Sequence, residues 1–242
     1  MTTYLLMVRW ELLSLRQMVP IMIIVQLFMG AGTVIGMGFL FEDIGPEQVL
    51  YLSTGGPTIA LLTVGLVMAP QLVARHKMQK TYDFMLSLPV PRSTLALAGL
   101  TVWMMLALPG MVLALLSAAL WYQLDLQVSF LLFPTLLLTM VMATSVGFAI
   151  AHAIPHPSVT ALVTQVLAFV ILMYSPINFP AERLPVWLQK AHAFLPFEHA
   201  GILVRASLAE GHASQLACSF AVLVVWSVVA SGVTLWVLNR RP

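Results

Sequence analysis

The amino-acid sequence predicts an all-α integral membrane protein with about six transmembrane helices. Of its 242 residues, 60% are hydrophobic and 8% charged. So few charges cannot clothe a soluble surface. The apolar residues fall in long runs without Asp, Glu, Lys or Arg, a pattern better accommodated by lipid than by one globular core. The basic residues concentrate in alternate connecting segments, as retention of Lys and Arg on the cytoplasmic side requires.

The first 17 residues intersperse Leu5, Leu6, Trp10, Leu12 and Leu13 with Arg9, Glu11 and Arg16. They read either as an amphipathic helix on the cytoplasmic membrane face or as an extension of the first span. Crossing the hydrocarbon takes about 20 helical residues. Six uncharged runs come near that length, at 19–41, 55–74, 94–121, 129–151, 158–177 and 214–238. The first is too long for a signal-peptide core and lacks a cleavage pattern, so retention of the start is expected. An even count puts both termini on one side. With the termini inside, Arg9, Arg16, Arg75, Lys77, Lys80, Arg92, Arg240 and Arg241 are cytoplasmic, against Arg183, Lys190 and Arg205 outside.

Several function classes are disfavoured at this point. The lone cysteine, Cys218, excludes an internal disulfide and a cysteine metal cluster. A net charge of +2 is too small to argue for nucleic acid. None of Lys77, Lys80 and Lys190 follows a glycine, so the phosphate-cradling G-x-x-x-x-G-K-[ST] loop is absent and no ATP site is expected. Leu52-Ser-Thr-Gly-Gly faintly resembles an ATPase signature, but without a nucleotide fold around it the match reads as coincidence.

Two hydrophilic segments are too long to be simple turns. Residues 75–92 lie inside between spans two and three, and 179–213 lie outside between spans five and six. The outer segment reads as a short helical hairpin. Leu184, Trp187, Leu188 and Ala191 repeat at helical spacing behind Pro185, and Pro196 ends that stretch. A second helix follows to about Glu210, with Gly211 as terminator. The Trp187 face suits the headgroup level. The inner segment carries Tyr82, Phe84, Met85, Leu86 and Leu88 among Arg75, Lys77, Lys80 and Arg92. Such apolar residues fit a partner-docking helix or a helix lying on the membrane surface.

Both segments resemble the ABC type 2 transporter permease family. In the outer one, Ser175, Phe179, Pro180, Glu182, Leu184, Pro185, Trp187, Leu188, Gln189, Pro196 and Arg205 fit its S-G-x-x-F-P-x-E-x-L-P-x-W-L-Q loop and later Arg, with Pro176 and Leu195 as departures. In the inner one, Thr81, Asp83, Leu86, Pro89 and Arg92 fit G-T-L-E-x-L-L-x-x-P-v-x-R, with Lys80 in place of Gly. The resemblance implies one permease domain over 1–242, working as a pair of copies or with a paralogue. It also implies a cytosolic ATPase on each permease, which would bind ATP and Mg and dock on a coupling helix. Arg75, Lys77, Lys80, Thr81, Tyr82, Asp83, Phe84, Leu86, Pro89 and Arg92 become the coupling candidates. Phe179, Pro180, Glu182, Leu184, Pro185, Trp187, Pro196 and Arg205 become an extracytoplasmic gate. Export by alternating access across the cell membrane follows from the resemblance.

Other features are less specific. Gln26, Gln71 and Gln165 place amides in the spans, and Gln26 and Gln165 are the cavity candidates, with interhelical hydrogen bonding as the alternative. Gly32 and Gly36 offer a small-residue face, Pro109-Gly110 should kink or break span three, and the abundant methionines would suit an adaptable apolar route. His152 and His156 stand four apart but are separated by Pro155, which favours a loop pair over a metal site. His192, His199 and His212 read as surface histidines. A rival reading is an intramembrane hydrolase built on Ser145 with His152 and His156, and another is a membrane scaffold that moves no cargo.

Overall fold

In lipid the backbone must satisfy its own hydrogen bonds, so uncharged apolar sequence becomes helix. The computed structural model describes residues 2–39, 45–79, 81, 87, 89–123, 128–209 and 215–240, and every regular element among them is helical. Helix α1 (Thr2–Leu15) is followed by a turn and by α2 (Val19–Gly38). Next come α3 (Pro46–Thr63), a π segment (Val64–Met68) and α4 (Ala69–Met78), which run as one rod. Then follow α5 (Arg92–Tyr122), α6 (Leu132–Ala153) and α7 (Pro157–Tyr174). A 3₁₀ turn (Ala181–Arg183), α8 (Val186–His192), α9 (Pro196–Leu208) and α10 (Leu216–Arg240) complete the chain.

Six of these helical stretches are long and apolar enough to cross a membrane, as the sequence predicts. The second departs most from expectation, since it begins at Pro46 and spans 33 residues to Met78. It is 78% buried, against 17–44% for the others, so it forms the axis of the bundle. Its small residues permit that position. Gly56 lies against the Gly30 carbonyl and Val34 of α2, and Gly65 lies against Ala143 of α6, where Gly147 faces it in return. The rod's threonine hydroxyls are satisfied within the helix, as where Thr54 donates to Leu50 O at 2.8 Å and Thr58 to Thr54 O at 2.8 Å. The wider π turn sits just before Pro70, whose ring lacks an N–H and crowds the preceding turn of a regular helix.

Two expectations change within the chain. Pro109-Gly110 does not break α5, which runs unbroken from Arg92 to Tyr122. Gly110 instead supplies a flat contact for Gln26 and for Gly30 of α2. Gly32 and Gly36 are exposed and meet little, so the close approach within the chain uses Gly30. The buried Leu52, Ser53, Thr54, Gly55 and Gly56 lie inside α3, where helix packing accounts for the two glycines.

Helix α1 is separate from the first span and packs on α5. The Tyr4 and Thr101 hydroxyls share a hydrogen bond of 2.6 Å, and Leu15 is buried in the cluster around Trp103. Leu5, Leu6 and Leu13 stay exposed, as a helix at a lipid interface requires. Glu11 is buried in this contact, and burial pushes its carboxyl up to about 7. Docking is therefore favoured while Glu11 is protonated, and that contribution is lost as pH rises through about 7. Hydrogen exchange across residues 2–15 should accelerate between about pH 4.5 and 7 beyond the intrinsic base catalysis, with no further excess above that range, and Glu11→Gln should remove the excess.

Candidate functional site

One end of the bundle gathers the α1–α2 turn, the end of α4, the end of α6 and the start of α7. Arg75 Nη1 donates to Met18 Sδ at 3.0 Å, and Lys77 Nζ donates to the Ala151 carbonyl. Of the predicted coupling residues, Arg75 and Lys77 form the last turn of α4, Thr81 is half-buried, Pro89 is exposed, and Arg92 opens α5. Lys80, Tyr82, Asp83, Phe84 and Leu86 lie outside the described residues.

The opposite end carries the predicted hairpin. Pro185 caps α8, and Pro196, after the short helix has ended at His192, starts α9. Helix α9 ends at Leu208, while Glu210 and Gly211 lie outside the described residues. Phe179 and Pro180 are half-buried, and Glu182 is exposed. Leu184 O accepts from Gln189 Nε2 at 2.8 Å, closing the turn into α8. Trp187 is 70% exposed, on a rim shared with Val186 and Phe194.

Arg205 organises this end. It is 4% exposed, donates from Nη2 to Ile177 O at 2.9 Å, and lies 3.6 Å over the Tyr51 ring of α3. Burial pulls its guanidinium down to about 10, against the stabilising presence of Tyr51, Glu198 and Glu47, so it stays charged at neutral pH. Burial likewise raises the Glu198 carboxyl, with Arg205 opposing and Glu182 adding to the rise. Beside this contact Asn178 Oδ1 rests on Gly55, where a side chain would collide with it and approach Ile177 O within 3.1 Å. Asn178 Oδ1 and Arg205 Nε are buried without a hydrogen-bond partner among the described residues, which makes the arrangement costly to hold. Tyr51 and Asn178 were not singled out from sequence, Gly55 stood out there only within the signature-like pentapeptide, and only the fold brings them to Arg205.

The histidines here are not on the surface. His192 and His199 are buried, and burial lowers the pKa of His192. His199 joins Ser219 of α10 at 3.0 Å and Ala193 O at 3.1 Å, tying the hairpin to the last span. His212 lies outside the described residues. Elsewhere Ser231 Oγ donates to Ser145 at 3.1 Å, and His152 Nδ1 bonds Phe148 O at 2.7 Å. No group of three metal-binding side chains occurs among the described residues.

Between α2, the rod and α7 runs an apolar groove. Its outer chamber, about 520 Å³, reaches from Met78 and Arg75 to Val25, and a second of about 320 Å³ continues to Met29 and Ile171. Val25, Met68 and Gln71 line both. Gln165 lines the second chamber, and Gln71, which donates to Thr164 Oγ1 at 3.2 Å, crosses from one to the other. Gln26 is not on this wall. It is 1% exposed against Gly110, with Nε2 3.8 Å from Met68 Sδ and Oε1 unpaired.

A family profile described as ABC-2 type transporter matches residues 2–209, a stretch that holds the rod, the groove and the hairpin. No curated protein matches the chain. Replacing Arg205 by Ala should cost about 2–4 kcal/mol, from a charged hydrogen bond and a buried cation–π contact. Thermal unfolding in detergent measures this, and Gly55→Val should loosen the same turn, read as faster proteolysis near 175–185.

Proposed function

Because the chain belongs to the ABC-2 type transporter family and is a transmembrane permease of an ABC transporter, we propose that it forms the pathway of an ATP-driven exporter. A separate cytosolic ATPase binds ATP and Mg and docks on residues 75–92. Two permease copies, or one copy and a paralogue, each carry one ATPase. The Arg75 end faces the cytoplasm, both termini with it, and the membrane is the cell membrane. The observation that carries this reading is the family match across residues 2–209, which spans both the inner segment and the outer hairpin.

The rod gives the proposal a mechanical route. Arg75 and Lys77 stand at one end of Pro46–Met78, and Tyr51 and Gly55, against Arg205 and Asn178, stand near the other. Closure of the ATPases pushes on residues 75–92, the rod tilts, and its far end shifts against the turn held by Arg205. That turn and the hairpin act as the outer gate, with the groove beside the rod as the pathway's wall. The enzyme reading has no comparable support, since among the described residues the hydrogen bond of Ser145 is to Ser231.

Asp83→Lys and Phe84→Asp should leave membrane insertion intact while abolishing co-purification of the ATPase and transport. Normal transport by both would overturn the coupling role. With Cys218 replaced, Ser87→Cys should react with an impermeant maleimide from the cytoplasmic side alone.

A further inference from the structure

We infer that the outward strip of α1 binds anionic phospholipid, with the guanidinium groups of Arg9 and Arg16 on the phosphates and Leu5, Leu6 and Leu13 in the acyl region. The inference rests on the proposed orientation only in assigning the lipid to the cytoplasmic leaflet.

The contacts of α1 with α5 fix its tilt and its depth. Tyr4 shares its hydrogen bond with Thr101, and Glu11 Oε1 comes within 3.8 Å of where a side chain on Gly99 would begin. Residues 4 and 11 of α1, about 10 Å apart, thus meet residues 101 and 99 of α5, about 3 Å apart, so the two helices cross steeply. Since α5 crosses the membrane from Leu97 to Tyr122, α1 lies along the membrane plane. Gly99 and Thr101 stand about 3–6 Å inside the start of that span, close to the depth at which an interfacial helix buries its apolar face. The outward strip of α1 meets lipid there, at a level that a water-soluble partner does not reach.

The residues on that strip select the lipid. At about 100° per residue, Leu5, Arg9, Leu13 and Leu6 fall within an arc of about 100°, and all four are exposed. Arg16 is exposed in the turn that follows, where its backbone N–H bonds back to Leu13 O at 3.4 Å. Among the described residues neither guanidinium makes a hydrogen bond or an ion pair, so both keep their donors. Glu11, the only acid between residues 2 and 17, is turned inward and buried. Within α1 the cations therefore face lipid and the carboxyl does not. Long basic side chains lay their stems on apolar surface and hold their charge at the headgroups, and a guanidinium can bind a phosphate through two parallel bonds. Phosphatidylcholine carries its own ammonium beside its phosphate and gains less from such a cation, which favours a headgroup with net negative charge.

The test places the full chain in nanodiscs of equal phosphatidylglycerol and phosphatidylcholine, one of the two bearing a diazirine near the top of its acyl chain. Labelled peptides are mapped after photolysis, with α10, where Val225 and Val228 are exposed, as the reference for both lipids. Relative to α10, residues 2–16 should take label from phosphatidylglycerol in preference to phosphatidylcholine. One arginine near an anionic lipid surface contributes about fivefold. Arg9→Gln or Arg16→Gln should lower the preference by about that factor, and the double variant should remove it. Equal labelling of the unaltered chain by both lipids, or a preference that survives the double variant, would overturn the site. So would loss of both labels on addition of the partner ATPase, which gives the strip to that subunit. With Cys218 replaced, a Leu6→Cys disulfide between copies and neither label on α1 would give it to a second copy. Both leaflets carry the probe and no transport is measured, so failure of the proposed orientation or of the transport role leaves the lipid result readable.

Discussion

Everything in this bundle depends on how closely the backbone of the second span can be approached. Lipid tails are as apolar as leucine, so helices in a membrane gain little from hydrophobicity and associate through packing. The rod meets that demand by presenting almost no side chain at its contacts. Gly56 receives the Gly30 carbonyl, Gly65 and Gly147 place the backbones of the π segment and α6 in contact, and Gly55 receives Asn178. A methyl group at any of these positions would force a helix outward, and dense interiors tolerate such strain poorly.

The same medium sets the fate of each polar group. Thr54, Thr58 and Thr63 return their hydroxyls to carbonyls one turn back, which leaves their helix faces apolar. Gln26 has a weaker solution, a thioether for its amide nitrogen and nothing for its oxygen, and it is retained where Gly110 leaves room for it. Arg205 is the extreme case. A buried guanidinium is tolerable because a carbonyl, an aromatic face and nearby carboxylates replace its hydration. Those partners come from three separate parts of the chain, so the charge holds the turn, the hairpin and the rod together.

Spans were legible because bilayer thickness imposes a length on uncharged sequence, and all six are found. Their ends were less so. Ser53, Thr54 and Gly55 dilute the hydropathy of the second span and hid its first turns, although the Thr54 hydroxyl is satisfied within the helix. Gly32 and Gly36 show what spacing leaves open. Periodicity identifies a face, but the face that packs depends on glycines distant in sequence, here Gly56 and Gly110 against Gly30. Arg205 was legible through family resemblance, whereas Tyr51 was not, because nothing local marks an aromatic ring that will lie under a cation 154 positions away. The buried His192 and His199 were misjudged because a polar hairpin outside the spans was taken to leave its histidines in water, whereas its helices fold down onto the bundle.

The distribution of tight and loose contacts along the rod also decides where it can move. Its outer half is pinned by Gly30 and Val34 of α2 and by Ala114 of α5, and its middle is pinned by Ala143 and Gly147 of α6. Below Gly30 the α2 wall parts from the rod, and from Met29 to Met18 the two flank the groove, with α7 as the third side. A force at the Arg75 end cannot slide backbones that are already touching, but it can rotate the rod about them. In the proposed coupling, the displacement would be a change in groove width below the glycine contacts and a smaller, opposite shift at Tyr51 above them. In that coupling, tight packing at the pivot would let a push at one end be felt at Arg205, and a looser seam would absorb it.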